Sequence, residues 1–323
     1  MRMRCATAML ALMLVATLPT PAHAAPLTFA VFGDTPYDDA HPGMETQSYL
    51  DMLQEISRSD ARFVVHIGDF KHGSTPCTDA VFEQRRAEFA ASDKPFIFVF
   101  GDNEWTDCWR SGSQPMERLD KLRSLFATGD TSLGRSRITI ARQSANIAYA
   151  GFPENVQWRD GNALFVGLNV PGSNNNFTRA PDEYRARTAA NLAWLAAAFE
   201  RAHAQSLGAV FLFMQANPFW PSMRPNGYTE LLDALRRHVA EFKGLVALVH
   251  GDTHACSVDY PLWDRARLRY FPNFRRIETF GSPSVNWLRL TLDTNPGIPE
   301  LTVTPGRWSL PCCRREPGAE PCS

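Results

Sequence analysis

The stretch "LVALVHGDTH" (residues 245–254) decides the fold, because it joins a buried strand to a polar turn. Its first five residues are apolar and do not alternate with polar ones, which is typical of a strand covered on both faces. The apolar run stops before Gly251, and Asp252, Thr253 and His254 follow directly. Side chains of these types bind metal ions or move protons. The stretch predicts either the rim of a functional site or an ordinary polar turn.

Three other apolar runs have the same form, and each of them also ends in Gly-Asp. They are "LTFAVFGD" (27–34), "ARFVVHIGD" (61–69) and "KPFIFVFGDNE" (94–104). A fifth run, "GAVFLFMQANP" (208–218), has the same apolar character. Residues 49–56, 192–199 and 231–242 carry apolar side chains at helical spacing between these runs. Strands that alternate with helices in this way predict βαβ units around a parallel sheet.

Two further segments contain short strand patterns without a helical period. The first, residues 137–169, contains "ITIAR", "NIAYAGF", "VQWRDG" and "NALFVGLNV". The second, residues 268–306, contains "LRYF", "RRIETF", "NWLRLTL" and "ELTVTPG". These patterns predict antiparallel strands. The sequence therefore predicts an α/β protein whose core contains two mixed β-sheets.

The two ends of the chain have compositions of their own. Arg2 and Arg4 precede an apolar run, and "AHA" (22–24) has the pattern of a signal-peptidase site. We therefore expect a signal peptide over residues 1–24 and export, periplasmic or secreted, after cleavage before Ala25; a retained N-terminal anchor is the alternative. No later segment contains the run of about 18 apolar residues that would predict a stable membrane span. One domain is expected over residues 25–310, followed by an irregular Cys- and Pro-rich tail, 311–323.

Charge and cysteine content narrow the class of protein. The chain has 33 Lys and Arg against 34 Asp and Glu, without a basic tract, which disfavours nucleic acid as the main partner. Six cysteines follow the predicted signal peptide, and an even number in an exported protein predicts disulfides. Cys77 and Cys108 follow two of the Gly-Asp strand ends and form the favoured pair, with Cys256 as a competing partner. The sequence does not determine the oligomeric state.

The four Gly-Asp dipeptides are the strongest signal in the sequence. A single Gly-Asp after a strand is explained by a tight turn. Asp34, Asp69 and Asp102 lie one βαβ unit apart, so their carboxylates are expected at the same edge of one sheet, together with Asp252. Carboxylates that meet there repel one another unless a cation neutralises them. This arrangement predicts a metal site.

In their order along the chain, these motifs resemble those of the calcineurin-like metallophosphoesterases. That family's pattern is Asp-x-His, Gly-Asp, Gly-Asn-His-Asp/Glu, a lone His, and Gly-His-x-His. The resemblance spans about residues 27–292 and implies a four-layer αββα sandwich. It also implies two metals about 3.5–4 Å apart and a metal-bound hydroxide that attacks phosphorus. The metal ligands implied by position are Asp34, Asp69, Asp102, Gln215, Asp252 and His254.

The departures from the family pattern are as informative as the match. Pro36, Asn103, Gln215 and Asp252 stand where the family has histidine, and only His254 is kept. The remaining oxygen donors favour Mn²⁺, Mg²⁺ or Ca²⁺ over Zn²⁺, with one or two ions bound. The third motif has two alignments. Without a gap, Asp102 is the ligand; with a one-residue insertion, Asn103 is the ligand and Glu104 is free for proton transfer.

Further candidates follow from position near the predicted rim. The catalytic candidates are Asn103, Glu104, His72 and His250, and the substrate-binding candidates are Lys71, Arg110 and Trp105. Each has an ordinary alternative: a strand-end histidine for His250, solvated charges for Lys71 and Arg110, and packing for Trp105. His66, in mid-strand, is expected to be a core histidine. The sequence thus predicts a metal-dependent hydrolase of small phosphate mono- or diesters; a catalytically inactive binding protein on the same scaffold is the alternative.

Overall fold

A computed structural model describes residues 25–38, 43–220, 226–293, 299–307, 311–316 and 319–320. The predicted signal peptide, residues 1–24, lies outside the described residues, as does part of the predicted tail. Among the described residues, no helix has the length and apolar character needed to cross a membrane.

The strands and helices are numbered separately along the chain. The strands are β1 (Leu27–Phe32), β2 (Val64–His66), β3 (Phe96–Phe98), β4 (Ala141–Arg142), β5 (Val156–Asp160), β6 (Ala163–Gly167), β7 (Ala209–Phe213), β8 (Leu245–His250), β9 (Ser257–Asp259), β10 (Trp263–Asp264), β11 (Arg269–Tyr270), β12 (Phe274–Glu278), β13 (Leu288–Asp293), β14 (Glu300–Pro305) and β15 (Cys313–Arg314). The long helices are α1 (Met44–Arg58), α2 (Asp79–Ala90), α3 (Pro115–Phe126), α4 (Pro181–Ala204) and α5 (Thr229–Glu241).

The strands form two mixed sheets. The first sheet has the order β14-β13-β1-β2-β3, in which β1, β2 and β3 are parallel. The second has the order β15-β9-β12-β8-β7-β6-β5-β4, and β6, β7, β8 and β12 run parallel to one another. The strands β10 and β11 pair separately as a hairpin. Both sheets therefore contain the parallel core that the apolar runs predict.

The two sheets pack face to face. The ring of Phe29 on β1 lies 5.3 Å from that of Phe165 on β6 and 5.1 Å from that of Phe211 on β7. The outer face of the first sheet packs against α1, α2 and α3, and that of the second packs against α4 and α5. The layers are therefore αββα, and the predicted α/β fold with two mixed sheets is confirmed. Strands covered on both faces explain why the apolar runs do not alternate.

Parts of the strand prediction are wrong. "NIAYAGF" contains a 3-10 helix, Ile147–Tyr149, because the Asn146 side chain accepts a hydrogen bond from the backbone N–H of Ala148 and turns the chain. Strand β12 pairs antiparallel with β9, as expected, but on its other side it pairs in parallel with β8. The tail was expected to be irregular, but β15 pairs with β9.

Two disulfides join described cysteines. The expected Cys77–Cys108 bond is confirmed, and its sulfurs lie 3.6 and 3.7 Å from the backbone oxygen of Asn103. Cys256 does not compete for that pair, because it bonds to Cys312 instead. The first disulfide fixes the loops that follow β2 and β3, and the second attaches the tail to the segment that carries His254.

Candidate active site

The four Gly-Asp turns meet between the carboxyl ends of the two sheets. Asp34, Asp69 and Asp102 follow β1, β2 and β3 of the first sheet, but Asp252 follows β8 of the second. The expectation that all four lie at the edge of one sheet is therefore wrong. The backbone N–H of Asp252 donates to both carboxylate oxygens of Asp34, at 3.1 and 3.3 Å. This contact joins the two sheets at the site.

The turns that present these side chains have unusual backbone geometry. The φ angles of Asp34, Asp69, Asp252 and His254 are 51°, 58°, 79° and 61°, in the left-handed region. Asp adopts this region more readily than most residues, and such conformations concentrate at functional sites. Gly68 has a φ of 98°, and a Cβ atom there would lie 2.6 Å from the Gly101 backbone. Only glycine allows the two turns to approach so closely.

The carboxylates are buried and destabilise one another's charge. Asp34, Asp69 and Asp102 expose 5% of their surface or less. Burial raises the pKa of Asp69 well above its usual range, and the carboxylates of Asp102, Glu104 and Asp34 raise it further. Burial and the Asp102 carboxylate likewise raise the pKa of Asp252 to about 8. The site therefore favours protons or cations.

His254 faces this cluster. Its Nε2 lies 3.6 Å from Asp34 Oδ1, and its Nδ1 lies 2.7 Å from the backbone oxygen of Ser282. Because a carbonyl oxygen only accepts, Nδ1 carries the proton, which leaves Nε2 of the neutral ring as a lone-pair donor towards the site. Burial by itself would lower the pKa of His254, but the Asp34 carboxylate raises it to about 9.

Both predicted amide groups are held by hydrogen bonds. Gln215 donates from Nε2 to Asp69 Oδ2 at 3.0 Å and accepts from the Gly172 backbone N–H at Oε1, at 2.5 Å. Asn103 donates from Nδ2 to the Tyr37 hydroxyl at 2.9 Å, and its backbone N–H donates to Asp69 Oδ1 at 3.0 Å. The structure thus uses both amides to orient Asp69 and its surroundings.

Glu104 lies beneath the site rather than at its surface. Its side chain is completely buried, and it accepts hydrogen bonds from the backbone N–H of Gly101 at 2.6 Å and of Asp69 at 3.1 and 3.2 Å. Burial raises its pKa to about 7. The carboxylate clamps together the turns after β2 and β3. This geometry favours the ungapped alignment, in which Asp102 points into the cluster.

The other predicted residues divide between the rim and the interior. His72 is exposed, with its ring 5.5 Å from that of Tyr37, and Arg110 is 44% exposed in an ion pair with Asp107 at 2.7 Å. Lys71 is buried, and its Nζ donates to the backbone oxygen of His72 at 2.9 Å. Arg110 and His72 are thus placed to meet a ligand from solvent.

Three residues lie in the interior. Trp105 is completely buried, so the expectation that it contacts substrate does not hold. His250 is also completely buried, donates from Nδ1 to the Gly251 backbone oxygen at 2.9 Å, and has its pKa lowered to about 3 by burial. It is therefore not at the rim, where a proton donor was expected. His66 is a buried core histidine, as expected.

A left-handed turn, whose backbone conformation the sequence analysis did not predict, completes the wall of the site. Residues 173–176 all have φ between 49° and 62°. A Cβ atom on Gly172, just before them, would lie 2.7 Å from Asp102 Oδ2 and 2.9 Å from Asp252 Oδ1. The available signal was "GSNNN", since Asn tolerates this conformation. The same analysis missed Asp107, to which Ser173 donates at 3.0 Å.

Within the described part of the chain, no three Asp, Glu, His or Cys side chains converge closely enough to hold a metal ion between them. The donors are nevertheless oxygen-rich and buried, and their negative charge is incompletely neutralised. Their chemistry fits a hard divalent cation, although their positions do not show a finished coordination sphere.

Comparisons with known proteins agree on the fold. No model of a protein family matches the chain, and no curated protein matches it. Among solved structures, a dimetal phosphatase from Danio rerio superposes with a TM-score of 0.53 at 15% identity, covering 86% of this chain and 99% of that one. The structure of PhoD superposes with a TM-score of 0.53 at 13% identity, covering 93% and 76%. The chain has a metallophosphoesterase-type fold.

The stability of the metal-free protein is expected to fall between pH 6.5 and 9. Asp252 and His254 have raised pKa values, about 8 and about 9, so the folded state binds their protons more tightly than the unfolded state does. Stability contributed in this way is present at low pH and is lost as the pH rises through those values. Buried His66 and His250 act in the opposite direction, but only below about pH 6.5, whereas buried Lys71, whose pKa is also lowered, opposes the decrease on the alkaline side.

We expect the free energy of unfolding in EDTA to decrease on the order of 3 kcal/mol across this interval. Urea denaturation at pH 6.5, 7.5 and 9 measures it. Asp252→Asn should flatten the profile, whereas Asp130→Asn, on the exposed surface, should leave it unchanged. A stability that is constant or rises over this interval would contradict the prediction.

Proposed function

We propose that this protein is a metal-dependent phosphoesterase that hydrolyses phosphate mono- or diesters. The observation that carries the proposal is the convergence of the buried Asp34, Asp69 and Asp102 from the first sheet with the partly buried Asp252 from the second. Such a concentration of buried carboxylate is costly unless a cation compensates it. The likeness of the fold to a dimetal phosphatase supports this reading.

The residues proposed to hold the cation are the four aspartates that converge on the site and the histidine that faces them. They are Asp34, Asp69, Asp102, Asp252 and His254. Their donor set favours Mn²⁺, Mg²⁺ or Ca²⁺. When bound, a divalent cation supplies Lewis-acid stabilisation of the phosphoryl oxygens and lowers the pKa of the attacking water. Tyr37, which donates to Asp69 Oδ2 at 3.3 Å, helps to fix the position of that carboxylate.

The rim residues supply the remaining functions in this proposal. Arg110 is half-exposed and would orient the anionic phosphoryl group. His72 is the proposed proton donor to the leaving group, because it is exposed beside Tyr37. His250 and Glu104 receive no role in proton transfer, since both are buried and engaged with the backbone.

The proposed location of the protein rests on its cysteines and its N-terminal sequence. Two disulfides fit an oxidising compartment. We propose that residues 1–24 are removed on export and that residues 25–310 form the phosphoesterase domain. The tail, residues 311–323, would remain attached to the second sheet through Cys256–Cys312.

A binding protein without hydrolytic activity is the second candidate. The observation that favours it is the engagement of Gln215 and Asn103, which stand at two positions where the family has histidine. Such a protein would bind a divalent cation and gain thermal stability from it. It would hydrolyse no phosphoester, and this difference separates the two candidates.

The deciding experiment is hydrolysis of an aryl phosphate monoester and diester by protein that has been stripped with EDTA. Mn²⁺, Mg²⁺, Ca²⁺ and Zn²⁺ are then added back singly. We expect turnover to return with Mn²⁺ or Mg²⁺ and to remain weak with Zn²⁺, because the donors are mainly oxygen. A cation-dependent rise in melting temperature without turnover on either ester would favour the binding protein instead.

A further inference from the structure

An exposed tryptophan at the rim of the site carries an arginine against its ring. Trp109 exposes 43% of its surface, and the guanidinium carbon of Arg179 lies 3.9 Å from the centre of the Trp109 ring. A guanidinium group packs on an aromatic ring in this way because the cation is attracted by the negative face of the ring. The contact uses the face of the guanidinium group and leaves the N–H donors at its edges uncovered.

Those N–H donors of Arg179 are available to a ligand. In the part of the chain that the structure describes, Arg179 is exposed and takes part in no hydrogen bond or ion pair. By contrast, Arg185 and Arg187 on the following helix, α4, pair with Asp182 and Glu183. A guanidinium group with free donors matches the paired oxygens of a carboxylate or a phosphate. Because packing already restricts Arg179, binding an anion costs less side-chain entropy.

The segments that carry Trp109 and Arg179 are joined at the site. Trp109 belongs to a 3-10 helix, Thr106–Ser111, that also contains Asp107. The Asp107 carboxylate accepts a hydrogen bond at 3.0 Å from Ser173, which begins the left-handed turn that leads to Arg179. The contact between Trp109 and Arg179 therefore lies on two loops that are held together beside the carboxylate cluster.

Arg110 connects this contact with the carboxylate cluster. Its guanidinium carbon lies 6.0 Å from the centre of the Trp109 ring. Its Nη1 lies beside the Asn103 side chain, because a Cβ atom on Gly73 would be 2.7 Å from both Arg110 Nη1 and Asn103 Oδ1. The rim therefore presents two guanidinium groups, one beside Asn103 and one on the ring of Trp109.

We infer that Arg179, held on Trp109, binds a second anionic group on the organic part of the substrate. The preferred substrates are then phosphoesters that also carry a carboxylate or a further phosphate. In the proposed function, on which this inference rests, the phosphoryl group lies at the carboxylate cluster beside Arg110. Arg179 contacts Trp109 rather than Asn103, so the anion that it meets belongs to the part of the substrate that extends away from the cluster. An ester of the same size without that anion lacks the contact and binds more weakly.

The test compares two phosphonates that cannot be hydrolysed, para-carboxybenzylphosphonate and its neutral amide, para-carbamoylbenzylphosphonate. Their affinities for the purified full chain are measured by calorimetry in the presence of Mn²⁺. Wild-type protein should bind the carboxylate about fivefold more tightly than the amide, as for an ion pair at a partly exposed site. Arg179→Met should abolish this preference. Trp109→Leu should reduce it, because Arg179 then loses the ring that restricts its position.

Arg185→Met is the matched control, because Arg185 is also exposed but pairs with Asp182, and its loss should leave the preference unchanged. Equal affinity of the wild type for the two phosphonates would overturn the inference, as would a preference that survives in Arg179→Met. Equal weakening of both phosphonates in Arg179→Met would overturn it too, since Arg179 would then bind the phosphoryl group itself.

Hydrolysis of phenyl phosphate, which has no second anion, decides the proposed function separately. A preference for the carboxylate that is lost in Arg179→Met, without turnover of phenyl phosphate, would support the inference and remove only the proposed activity. If neither phosphonate binds, the inference is wrong whether or not phenyl phosphate is hydrolysed.

Discussion

Replacing Asp69 with asparagine should reduce metal-dependent hydrolysis by on the order of 10²–10³-fold, comparable to losing a main transition-state contact. Asp69 lies at the centre of the site, where its carboxylate accepts hydrogen bonds from Asn103, Gln215 and Tyr37. Asparagine has nearly the same shape but no charge, so it removes electrostatic attraction for a cation while conserving volume. The rise in melting temperature produced by Mn²⁺ should shrink in parallel.

The measurements are steady-state hydrolysis of an aryl phosphate and thermal denaturation with and without Mn²⁺. Asp130→Asn is the control, since Asp130 is exposed and lies in a loop away from β2. Full turnover in Asp69→Asn would exclude Asp69 as a group that binds the catalytic cation. If Asp69→Asn loses activity but keeps the full rise in melting temperature produced by Mn²⁺, the cation binds elsewhere.

Replacing Glu104 with alanine should lower the free energy of unfolding by about 3–5 kcal/mol. The substitution leaves the buried backbone N–H groups of Gly101 and Asp69 without their carboxylate acceptor. It also separates the turns after β2 and β3, so activity should fall together with stability. Urea denaturation and the hydrolysis assay measure the two effects.

Glu104→Gln distinguishes this clamp from a catalytic acid. The glutamine oxygen can accept from both backbone donors, because Oε1 of Glu104 already contacts both. We therefore expect Glu104→Gln to keep most of the stability and most of the activity. If Glu104 transfers a proton, Glu104→Gln will instead lose activity as completely as the alanine variant while remaining folded. Glu83→Ala, at an exposed ion pair, should cost only about 0–1 kcal/mol.

Much of the fold was predictable because its signals are local. The runs that became β1, β2, β3, β7 and β8 are mostly apolar and do not alternate with polar residues, and this pattern is typical of strands covered on both faces. The helical spacing of Tyr49, Met52 and Ile56 places these three side chains on the buried face of α1. By contrast, "NIAYAGF" has strand-like composition, but a single hydrogen bond that the Asn146 side chain accepts from the Ala148 backbone N–H favours a 3-10 turn.

The candidate site was predictable in its residue types but not in its geometry. The Gly-Asp repeats identified Asp34, Asp69, Asp102 and Asp252, whereas strand pairing placed β8 in the second sheet, so that Asp252 arrives from the opposite side. Positions near a strand end look alike in sequence. The direction of each side chain depends on backbone φ and on neighbours that are distant along the chain.

The sequence by itself determined which segments must be buried and where each strand releases its polar residues, because hydrophobic pattern and turn chemistry act between near neighbours. Only the tertiary structure decided the roles available to those polar residues. Glu104 became a buried clamp, Trp105 and His250 were enclosed, and Lys71 was buried two residues after Asp69. The reason is physical: burial, pKa and hydrogen bonding arise from groups that meet only after the two sheets have packed together.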